Sequence, residues 1–537
     1  MKFLHKKLFF LTLLVLVLTS CGSTKLVSTP IENIDNTPLK FNDLTESEEK
    51  VWGHLDFVSD TIPGMSVNKA YDELIKNKKG TQIIVAVIDS GIDIDHEDLD
   101  DVIWTNKKEI PNNNKDDDNN GYIDDVHGWN FLGEAYQEQL EYVRLLASGN
   151  KNHPRYAEAE AEYQKKVSEY TNLKSQYVEI IPVMEDAHNT ISEHLNRENY
   201  QQKDLITIKT EDKKLQQSIY ALNVLVFDNG FDTAPEAIDA FKDNLKSIND
   251  LLDYALNKNF NGRKIVGDNP DDINDRNYGN GNVKPRDKGE SHGTHVAGII
   301  AAERNNQKGV NGVANNVLIM PIRAVSNADE YDKDIALAIR YAANNGAKII
   351  NMSFGKYYSP HSEWVKDAIK YAETKDVLLV HGAGNESLNL DNKPNFPTDQ
   401  ENGVEFVNNF ISVGATEPKY GSSLVASYSN YGKNSVDVFA PGSKIYSTYP
   451  NNTYKSEGGT SMAAPGVAGI AALIRSYYPK LTAAQVKQVI MDSGLPLKAK
   501  VTVGENANTV EPFANLSRSS KLVNAYNALI MASKISN

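Results

Sequence analysis

Cysteine is nearly absent from this 537-residue chain, which contains only Cys21. A disulfide within the chain is therefore excluded, as are zinc sites built from several cysteines. Acidic residues outnumber basic ones by 71 to 56, and the net charge of −15 disfavours nucleic acids and anionic membrane surfaces as partners. After residue 20, no apolar run reaches the roughly 18 residues that a membrane-spanning helix needs.

Residues 1–20 have the layout of a signal peptide. An apolar run from Leu8 to Leu18 follows a short basic region that contains Lys2, Lys6 and Lys7. A basic region followed by an apolar run of this length directs secretion and is then removed. The sequence therefore predicts a mature chain that begins near Cys21.

Cys21 directly follows Leu18-Thr19-Ser20, which resembles a bacterial lipobox. The resemblance implies cleavage before Cys21 and lipid on its sulfur and amino group, so that acyl chains anchor residues 21–62 as a lipidated tether. The alternative is an ordinary secreted protein with a chance cysteine. Gly22 is not the acidic residue associated with inner-membrane retention, which favours the outer membrane of a bacterial cell envelope, on its periplasmic or its surface face.

Continuous apolar runs predict the core of the main domain. Such runs are typical of strands buried on both faces, as in a parallel sheet flanked by helices. The runs are Ile83 to Ile88, Leu318 to Val325, Lys348 to Phe354, Val377 to His381, Phe410 to Ala415 and Val436 to Phe439. Helical patterns cover Asp334 to Ala343, Ser362 to Ala372 and Met462 to Arg475. We therefore predict an α/β domain formed by residues 63–133 and 261–537.

Residues 134–260 interrupt this pattern and are predicted to form an inserted all-α hairpin or bundle. Apolar and aromatic side chains recur there at helical spacing. The first stripe contains Tyr163, Tyr170, Tyr177, Met184 and Ile191, and two later stripes contain Leu215, Ile219, Leu222 and Leu225, then Ile238, Phe241, Leu245, Ile248 and Leu252. Pro182 lies within the first stripe and should kink or split that helix. We expect the stripes to form a core, and the insert to be the part of the chain that binds a protein partner.

Ser461 lies in Gly459 to Pro465, a glycine-led turn that precedes an apolar helix. A serine hydroxyl is a weak nucleophile unless a base removes its proton. His292, which opens another apolar helix, supplies a base, and Asp89 at the end of a predicted strand supplies a carboxylate to orient it. His292 and His295 also invite a metal-ligand interpretation, but zinc helices usually space histidines four residues apart with a glutamate between them.

Three segments resemble the subtilisin-like serine peptidases. They are Val87 to Asp93, His292 to His295 and Gly459 to Pro465, and they occur in the Asp, His, Ser order of that family. The resemblance covers about residues 65–130 and 265–530. It implies a parallel sheet sandwiched by helices, with Asp89, His292 and Ser461 as the catalytic triad.

The same resemblance assigns the residues that hold the substrate. Asn385, within His381 to Asn385, corresponds to the asparagine whose side-chain amide stabilises the oxyanion. Ser353, Phe354 and Gly355 correspond to the segment that pairs with the extended substrate backbone beside the P1 side chain. Phe354 favours hydrophobic substrate residues.

An acidic segment from Asp116 to Asp125 resembles the first nine positions of an EF-hand calcium loop. Oxygen-bearing side chains alternate around Gly121, which is the spacing that such loops use. The expected ligands are Asp116, Asp118, Asn120, Asp124 and Asp125. The alternative is a solvated acidic turn. A second, less regular cluster, formed by Asp268, Asp271, Asp272 and Asp275, is a weaker calcium candidate.

These observations predict a membrane-anchored serine endopeptidase that hydrolyses polypeptides through an acyl-enzyme, with structural calcium and no organic cofactor. Two other interpretations stay open. One is a binding or scaffold lipoprotein in which the insert is the working part. The other is a dedicated maturation peptidase with one or a few substrates, which the insert selects.

Overall fold

A computed structural model describes residue 40 and residues 43–76, 78–287, 289–504 and 509–536. The predicted signal peptide, Cys21 and the first part of the predicted tether lie outside the described residues. Of the helices in the described ranges, none combines the length and the apolar character needed to cross a membrane.

Nine strands form one central sheet, and three two-stranded ribbons lie outside it. In chain order the strands are β1 Ile83–Asp89, β2 Trp129–Asn130, β3 Val317–Arg323, β4 Ile349–Met352, β5 Leu378–Gly382, β6 Gln400–Glu401, β7 Val404–Glu405, β8 Phe410–Thr416, β9 Val438–Pro441, β10 Ile445–Tyr449, β11 Thr453–Glu457, β12 Leu495–Pro496, β13 Lys500–Val503, β14 Thr509–Pro512 and β15 Lys521–Leu522. The central order is β12-β15-β9-β8-β5-β4-β1-β3-β2. All neighbours pair in parallel except β12 and β15. The predicted α/β class is confirmed.

Helices cover both faces of the sheet because β1 is apolar on both sides. Val85 and Val87 belong to one core cluster, and Ala86 and Ile88 belong to another, as the alternation of a strand requires. The first cluster includes side chains of the helices His292–Ala301, Thr460–Tyr477, Ala483–Ser493 and Ala525–Ile535. The second includes side chains of Asp332–Asn344 and Ser362–Thr374.

The carboxyl ends of the central strands lie at one edge of the sheet. Asp89 at the end of β1 is in register with Arg323 at the end of β3, and Met352 at the end of β4 is in register with His381 of β5. Ligands of open parallel sheets bind outside this edge. The functional site is therefore expected there.

The packed domain begins earlier than residue 63. Within the predicted tether, a short helix spans Glu46–Glu49, and the side chains of Trp52, Phe57 and Ile62 are buried. The Trp52 indole donates a hydrogen bond of 3.0 Å to the carbonyl of Ser443. These apolar side chains account for the difference, because burying them against the domain is favourable. In the described part of the predicted tether, packing against the domain therefore begins before the predicted boundary at residue 62.

The insert is helical, as its stripes predict. Its helices are Glu141–Ala147, Tyr156–Leu195, Gln202–Thr207, Lys213–Leu225 and Ala234–Asp250, the last continued by a π-helical turn at Leu251–Ala255. The 40-residue helix packs against Lys213–Leu225 and Ala234–Asp250. Pro182 does not split it, because the proline lies on its exposed face, where water can satisfy the carbonyl that loses its partner.

Two separate hydrophobic cores hold the insert. The distal core includes Met184, Ile191 and Leu222. The proximal core includes Tyr142, Val143 and Leu146 of the insert together with Tyr358 of the main domain. The proximal core therefore attaches the insert to the domain, whereas the distal core holds the bundle together by itself.

The remaining short elements complete the fold. Short α-helices span Val67–Ala70 and Arg263–Val266, and a π-helical turn spans Tyr71–Ile75. Single 3₁₀ turns span Trp52–His54, Asp100–Val102, Phe227–Asn229 and Phe513–Asn515.

Candidate active site

Asp89 and His292 are in contact at the carboxyl edge of the sheet. The carboxylate oxygen Oδ1 of Asp89 lies 2.8 Å from Nδ1 of His292, although 203 residues separate the two in sequence. Asp89 is buried and also accepts a 2.8 Å hydrogen bond from the backbone N–H of Ser90. The side chain of His292 is 38% exposed, so part of the ring is accessible from solvent. A buried carboxylate on Nδ1 fixes the tautomer that leaves Nε2 free to accept a proton.

The pKa of His292 is the result of opposing influences. Burial lowers it, but the charge of Asp89 and the hydrogen bond to Asp89 raise it, with a smaller contribution from the charge of Glu457. The net shift is upward. The ring is therefore a stronger base than an isolated histidine, and its protonated form is stabilised.

Ser461 lies in the first turn of the helix Thr460–Tyr477, which packs against the helix that begins at His292. Its hydroxyl donates a hydrogen bond of 3.1 Å to the carbonyl of Ser353. Among the described residues no hydrogen bond joins Ser461 to His292. The hydroxyl must therefore rotate from Ser353 toward the ring before a proton can pass, and such bonds often form only when substrate is bound.

Gly459 allows the chain to turn into this helix. Its φ of +157° is a conformation that residues with side chains rarely adopt, which accounts for glycine at this position. At the start of the helix, the N–H of Ser461 has no partner within the helix and faces outward.

Asn385 is held by the residue that precedes the serine. Its side-chain oxygen accepts hydrogen bonds from the Thr460 backbone N–H at 2.8 Å and from the Thr460 hydroxyl at 3.1 Å. These two donors determine which end of the amide is oxygen. The amide nitrogen Nδ2 has no hydrogen-bond partner among the described residues, and it is the end left to serve as a donor.

The predicted substrate segment is rigidly supported. The Ser353 hydroxyl accepts from Asn351 and donates to the carbonyl of Ser461, each at 2.9 Å. The carbonyl of Phe354 lies 2.7 Å from Nε2 of His381. Burial lowers the pKa of His381 to about 4, so the ring is neutral and donates this bond. Phe354 is partly buried against the sheet.

Gly355 is exposed, and its position excludes a side chain. A Cβ there would come within 2.6 Å of Nδ2 of Asn395. Gly355 therefore keeps the segment from Ser353 to Gly355 close to its neighbours and open to solvent on one side.

Asn430 was not identified from the sequence, although it organises the turn that carries Asn385. Its side chain is fully buried, and its oxygen accepts hydrogen bonds from the N–H groups of Glu386 at 3.1 Å and Leu388 at 2.8 Å. Its amide nitrogen donates to the carbonyl of Ala383 at 2.9 Å. A lone asparagine in a tyrosine- and serine-rich loop gives no sequence signal for this role.

A buried ion pair lies behind the catalytic edge. Arg323, fully buried at the end of β3, pairs with the buried carboxylate of Glu290, and its N–H groups also reach the carbonyls of Ser90 and Ala135. This ion pair was not predicted from the sequence. It connects the end of β3, and through the carbonyl of Ser90 the end of β1, to the segment just before His292.

The insert contacts the chain immediately after the substrate segment. Lys356 is buried, and its ammonium lies 2.7 Å from Glu141 of the insert and 3.0 Å from Asp332. Glu141 also pairs with Arg144 at 2.6 Å. Burial opposes the charge of Glu141, but Arg144 and Lys356 outweigh it and lower its pKa to about 2. Buried charges therefore fix the insert to the chain just after the predicted substrate segment.

The acidic loop contains a cluster of hard oxygen atoms. Carboxylate oxygens of Glu109, Asp116 and Asp118 all lie within 4.8 Å of one another. Glu109 is 7% exposed, and its Oε2 has no hydrogen-bond partner among the described residues. A buried, unpartnered carboxylate oxygen beside two others fits a hard cation such as calcium. Glu109 was missed because it lies seven residues before the loop motif begins.

Three of the five predicted calcium ligands accept hydrogen bonds from protein groups in this structure, as both oxygens of Asp116 also do. Both oxygens of Asp124 accept from the N–H groups of Asn113 and Asn114, and the side-chain oxygen of Asn120 accepts from Tyr122. Asp125 is buried and accepts from the side chains of Tyr341, Asn106 and Asn120. Of the four predicted carboxylate ligands, Asp116 and Asp118 belong to the cluster with Glu109, whereas Asp124 and Asp125 do not.

The second acidic segment is an ion-pair network. Asp268 is fully buried between Arg263 at 2.5 Å and Lys333 at 2.7 Å. Asp271 pairs with His361, and Asp275 accepts from the N–H of Asn269. The calcium interpretation of this segment is not supported, because two protein cations already neutralise its buried member.

Comparison with known proteins identifies the family to which the chain is similar. The model of the subtilase family matches residues 80–514. Thermitase from Thermoactinomyces vulgaris is 41% identical over 189 residues, which are 35% of this chain and 62% of thermitase. Subtilisin DY from Bacillus licheniformis is 38% identical over 229 residues, 42% of this chain and 78% of that protein. A thermophilic serine proteinase from Bacillus sp. (strain AK1) is 43% identical over 187 residues, 35% of this chain and 43% of that protein. The chain therefore spans less than two thirds of two of these relatives.

Proposed function

Because the chain belongs to the subtilase family of subtilisin-like serine endopeptidases, we propose that it hydrolyses peptide bonds through an acyl-enzyme formed on Ser461. The observation that carries the proposal is the 2.8 Å contact between the buried Asp89 and His292, at the sheet edge where Ser461 also lies. A carboxylate, an imidazole and a hydroxyl in this arrangement have the roles of orienting group, base and nucleophile.

The proposed catalytic steps use the atoms that are free to transfer a proton or to donate a hydrogen bond. Nε2 of His292 removes the proton of the Ser461 hydroxyl as its oxygen attacks the peptide carbonyl. Asp89 stabilises the imidazolium, which then protonates the leaving amine. Nδ2 of Asn385 and the N–H of Ser461 donate to the oxyanion, because neither donates to another group in the part of the chain that the structure describes. Water releases the acyl group by the same steps in reverse.

The test uses the full chain and a fluorophosphonate probe. We expect wild type to be labelled at Ser461 and to hydrolyse an unfolded protein, and Ser461→Ala to do neither. Ser456→Ala, an exposed serine in β11, is the matched control and should retain both activities. A folded wild type that neither reacts with the probe nor cleaves the substrate refutes the proposal.

We also propose that a calcium ion binds Glu109, Asp116 and Asp118. The support is the convergence of three carboxylates and the unpartnered buried oxygen of Glu109. A bound divalent cation would offset most of this negative charge and tie the loop to the segment before it. Stabilisation of this kind favours the folded over the unfolded state, which protects a peptidase from self-digestion.

The proposal for the cellular location is a lipid anchor on Cys21, at the bacterial outer membrane. Its support is the sequence Leu18 to Cys21 and the basic and apolar regions before it. Metabolic labelling with a palmitate analogue should tag wild type but not Cys21→Ser, and the variant should be recovered in the soluble fraction. Equal recovery of both proteins in the soluble fraction refutes the anchor.

The insert is proposed to select polypeptide substrates or to bind a protein partner. Its support is the attachment of the insert to Lys356 and Tyr358, just after the predicted substrate segment. Mapping new N-termini in cells with wild type and with Ser461→Ala separates a general scavenger from a dedicated maturation peptidase. Many cleaved proteins favour the first, and one or a few favour the second.

A further inference from the structure

The turn that carries Asn385 is closed by a ring of hydrogen bonds that includes Tyr357. One carboxylate oxygen of Glu386 accepts a 2.9 Å hydrogen bond from the N–H of Asn385. The same oxygen accepts a hydrogen bond from the Tyr357 hydroxyl. The amide nitrogen of the buried Asn430 lies 2.9 Å from both the Tyr357 hydroxyl and this oxygen. One oxygen of Glu386 therefore accepts hydrogen bonds from the turn and from Tyr357.

The backbone of Tyr357 is held by the insert. Arg155, at the start of the 40-residue helix, donates a 2.5 Å hydrogen bond to the carbonyl of Tyr357, and its guanidinium lies 3.7 Å from the ring centre of Tyr358. On the other side of Tyr357, the buried Lys356 pairs with Glu141 of the insert. The insert therefore fixes the chain both before and after Tyr357.

We infer that Tyr357 is a positioning residue that connects the insert to the oxyanion donor Asn385. Its carbonyl is bound to the insert, and its hydroxyl restrains Glu386 and thereby the N–H of Asn385. Oxyanion donors act only within about 2.7–3.1 Å of the developing charge, and a misplacement of about 1 Å can cost on the order of 100-fold in rate. The inference rests on the proposed peptidase function.

The first test is Tyr357→Phe in the full chain, assayed with a short peptide substrate. Removing the hydroxyl should lower kcat by about 5- to 30-fold and change KM by less than about twofold, because the interaction acts in the transition state. Tyr358→Phe is the matched control. Among the described residues, its hydroxyl donates to Glu162 of the insert, at 3.2 Å, and does not reach Glu386, so kcat should stay within about twofold of wild type.

The second test repeats the substitution in an Asn385→Ala background. Loss of this oxyanion donor should itself lower kcat by roughly 10²–10³-fold, which is the range typical of removing the corresponding asparagine from subtilisin. If Tyr357 acts through Asn385, adding Tyr357→Phe should then change kcat by less than about twofold. Full additivity of the two losses overturns the inference. A raised KM with unchanged kcat also overturns it, because Tyr357 would then bind substrate.

The third test examines the insert. Arg155→Ala should lower kcat in the Asn385-containing enzyme and have little effect in Asn385→Ala. Lys258→Ala is the matched control, since this insert cation lies over the ring of Tyr163, 4.4 Å from its centre, and does not reach Tyr357. Equal effects of the two variants contradict the connection. If wild type shows no hydrolysis that depends on Ser461, the proposed function itself fails, and the inference fails with it.

Discussion

His292 experiences two opposing influences, and their balance sets the pH range in which the base works. Burial lowers its pKa and Asp89 raises it, with a net upward shift. A base must be unprotonated to accept a proton, so the acid limb of activity should lie above the ordinary histidine value of about 6.5. Activity should therefore rise with pH through this raised pKa.

Asp89→Asn tests whether the charge of Asp89 raises the pKa of His292. Removing the negative charge should move the acid limb of kcat/KM to lower pH and lower kcat by about 10⁴-fold, the loss typical of triads whose orienting carboxylate is removed. The measurement is a pH profile of peptide hydrolysis. Glu457→Gln is the control, because its charge also raises the pKa of His292. It should shift the limb slightly and leave the plateau unchanged. A limb that stays in place in Asp89→Asn would belong to another group.

The sequence predicts residues well where the chemistry lies in a contiguous motif. Asp89, His292 and Ser461 each lie in a short segment with a recognisable pattern, and the family assignment built on them is confirmed. Glu109 and Asn430 lie outside any pattern, because their partners are distant in sequence or are backbone groups. Asp124 fits a ligand spacing, yet its oxygens cap the backbone. Spacing alone does not show which way a side chain points.

At the scale of structural elements, buried charges at the base of the insert attach it to the main domain. Glu141, Arg144 and Lys356 are mutually compensating, and none of them contacts bulk water freely. Removing one partner of a buried ion pair leaves an uncompensated charge, at a typical cost of about 3–5 kcal/mol. The attachment of the insert therefore depends on all three.

Glu141→Gln should lower the free energy of unfolding by about 3 kcal/mol at pH 7. The pKa of Glu141 is depressed to about 2, so this stabilisation is present above the ordinary glutamate pKa of about 4.3 and is lost as pH falls toward 2. The difference between variant and wild type should therefore shrink in acid. Denaturant unfolding at several pH values measures it. Glu169→Gln, whose exposed pair with Lys166 is 3.3 Å long, should change stability by less than about 0.5 kcal/mol.

The acidic loop gives a prediction that distinguishes two sets of calcium ligands, those expected from the sequence spacing and those whose carboxylates lie together in the structure. At a calcium concentration of about 100 times Kd, wild type should gain about 2.7 kcal/mol of stability, seen as a higher Tm. Glu109→Gln should lose this gain. Asp124→Asn, which alters a backbone cap and not the cluster, should lower Tm equally with and without calcium. A wild-type Tm that does not respond to calcium contradicts the site, and a loss of response only in Asp124→Asn favours the ligand set read from the sequence.

Elements were predictable where periodicity was long and uninterrupted. The six apolar runs became central strands, with ends that shift by up to two residues. Pro182 was expected to kink or split its helix, but tertiary packing on one face and solvent on the other keep the helix Tyr156–Leu195 unsplit. The position of the insert against Lys356 was not predictable, because it depends on charges that are far apart in sequence.

At the scale of the whole molecule, the hydrophobic cores differ in how strongly each depends on the others. The two clusters of the central domain share the sheet, whereas the distal core of the insert is formed by insert residues alone. The proximal core and the buried charges join the insert to the domain. Because local stability follows local packing, the distal bundle should be able to unfold while the active site stays formed.

Leu222→Asp tests this division, since it places a charge in the distal core, where Leu222 is fully buried. Hydrogen exchange should become fast in residues 178–250 and stay slow in β1 and in the helix Thr460–Tyr477. Hydrolysis of a short peptide should then be retained, because Arg155 and Glu141 belong to the proximal part of the insert. If the distal bundle selects large protein substrates, their cleavage should change. Leu473→Asp, a matched charge in the central helix, should remove protection and activity together. Loss of slow exchange throughout the chain in Leu222→Asp would show that the two parts unfold as one unit.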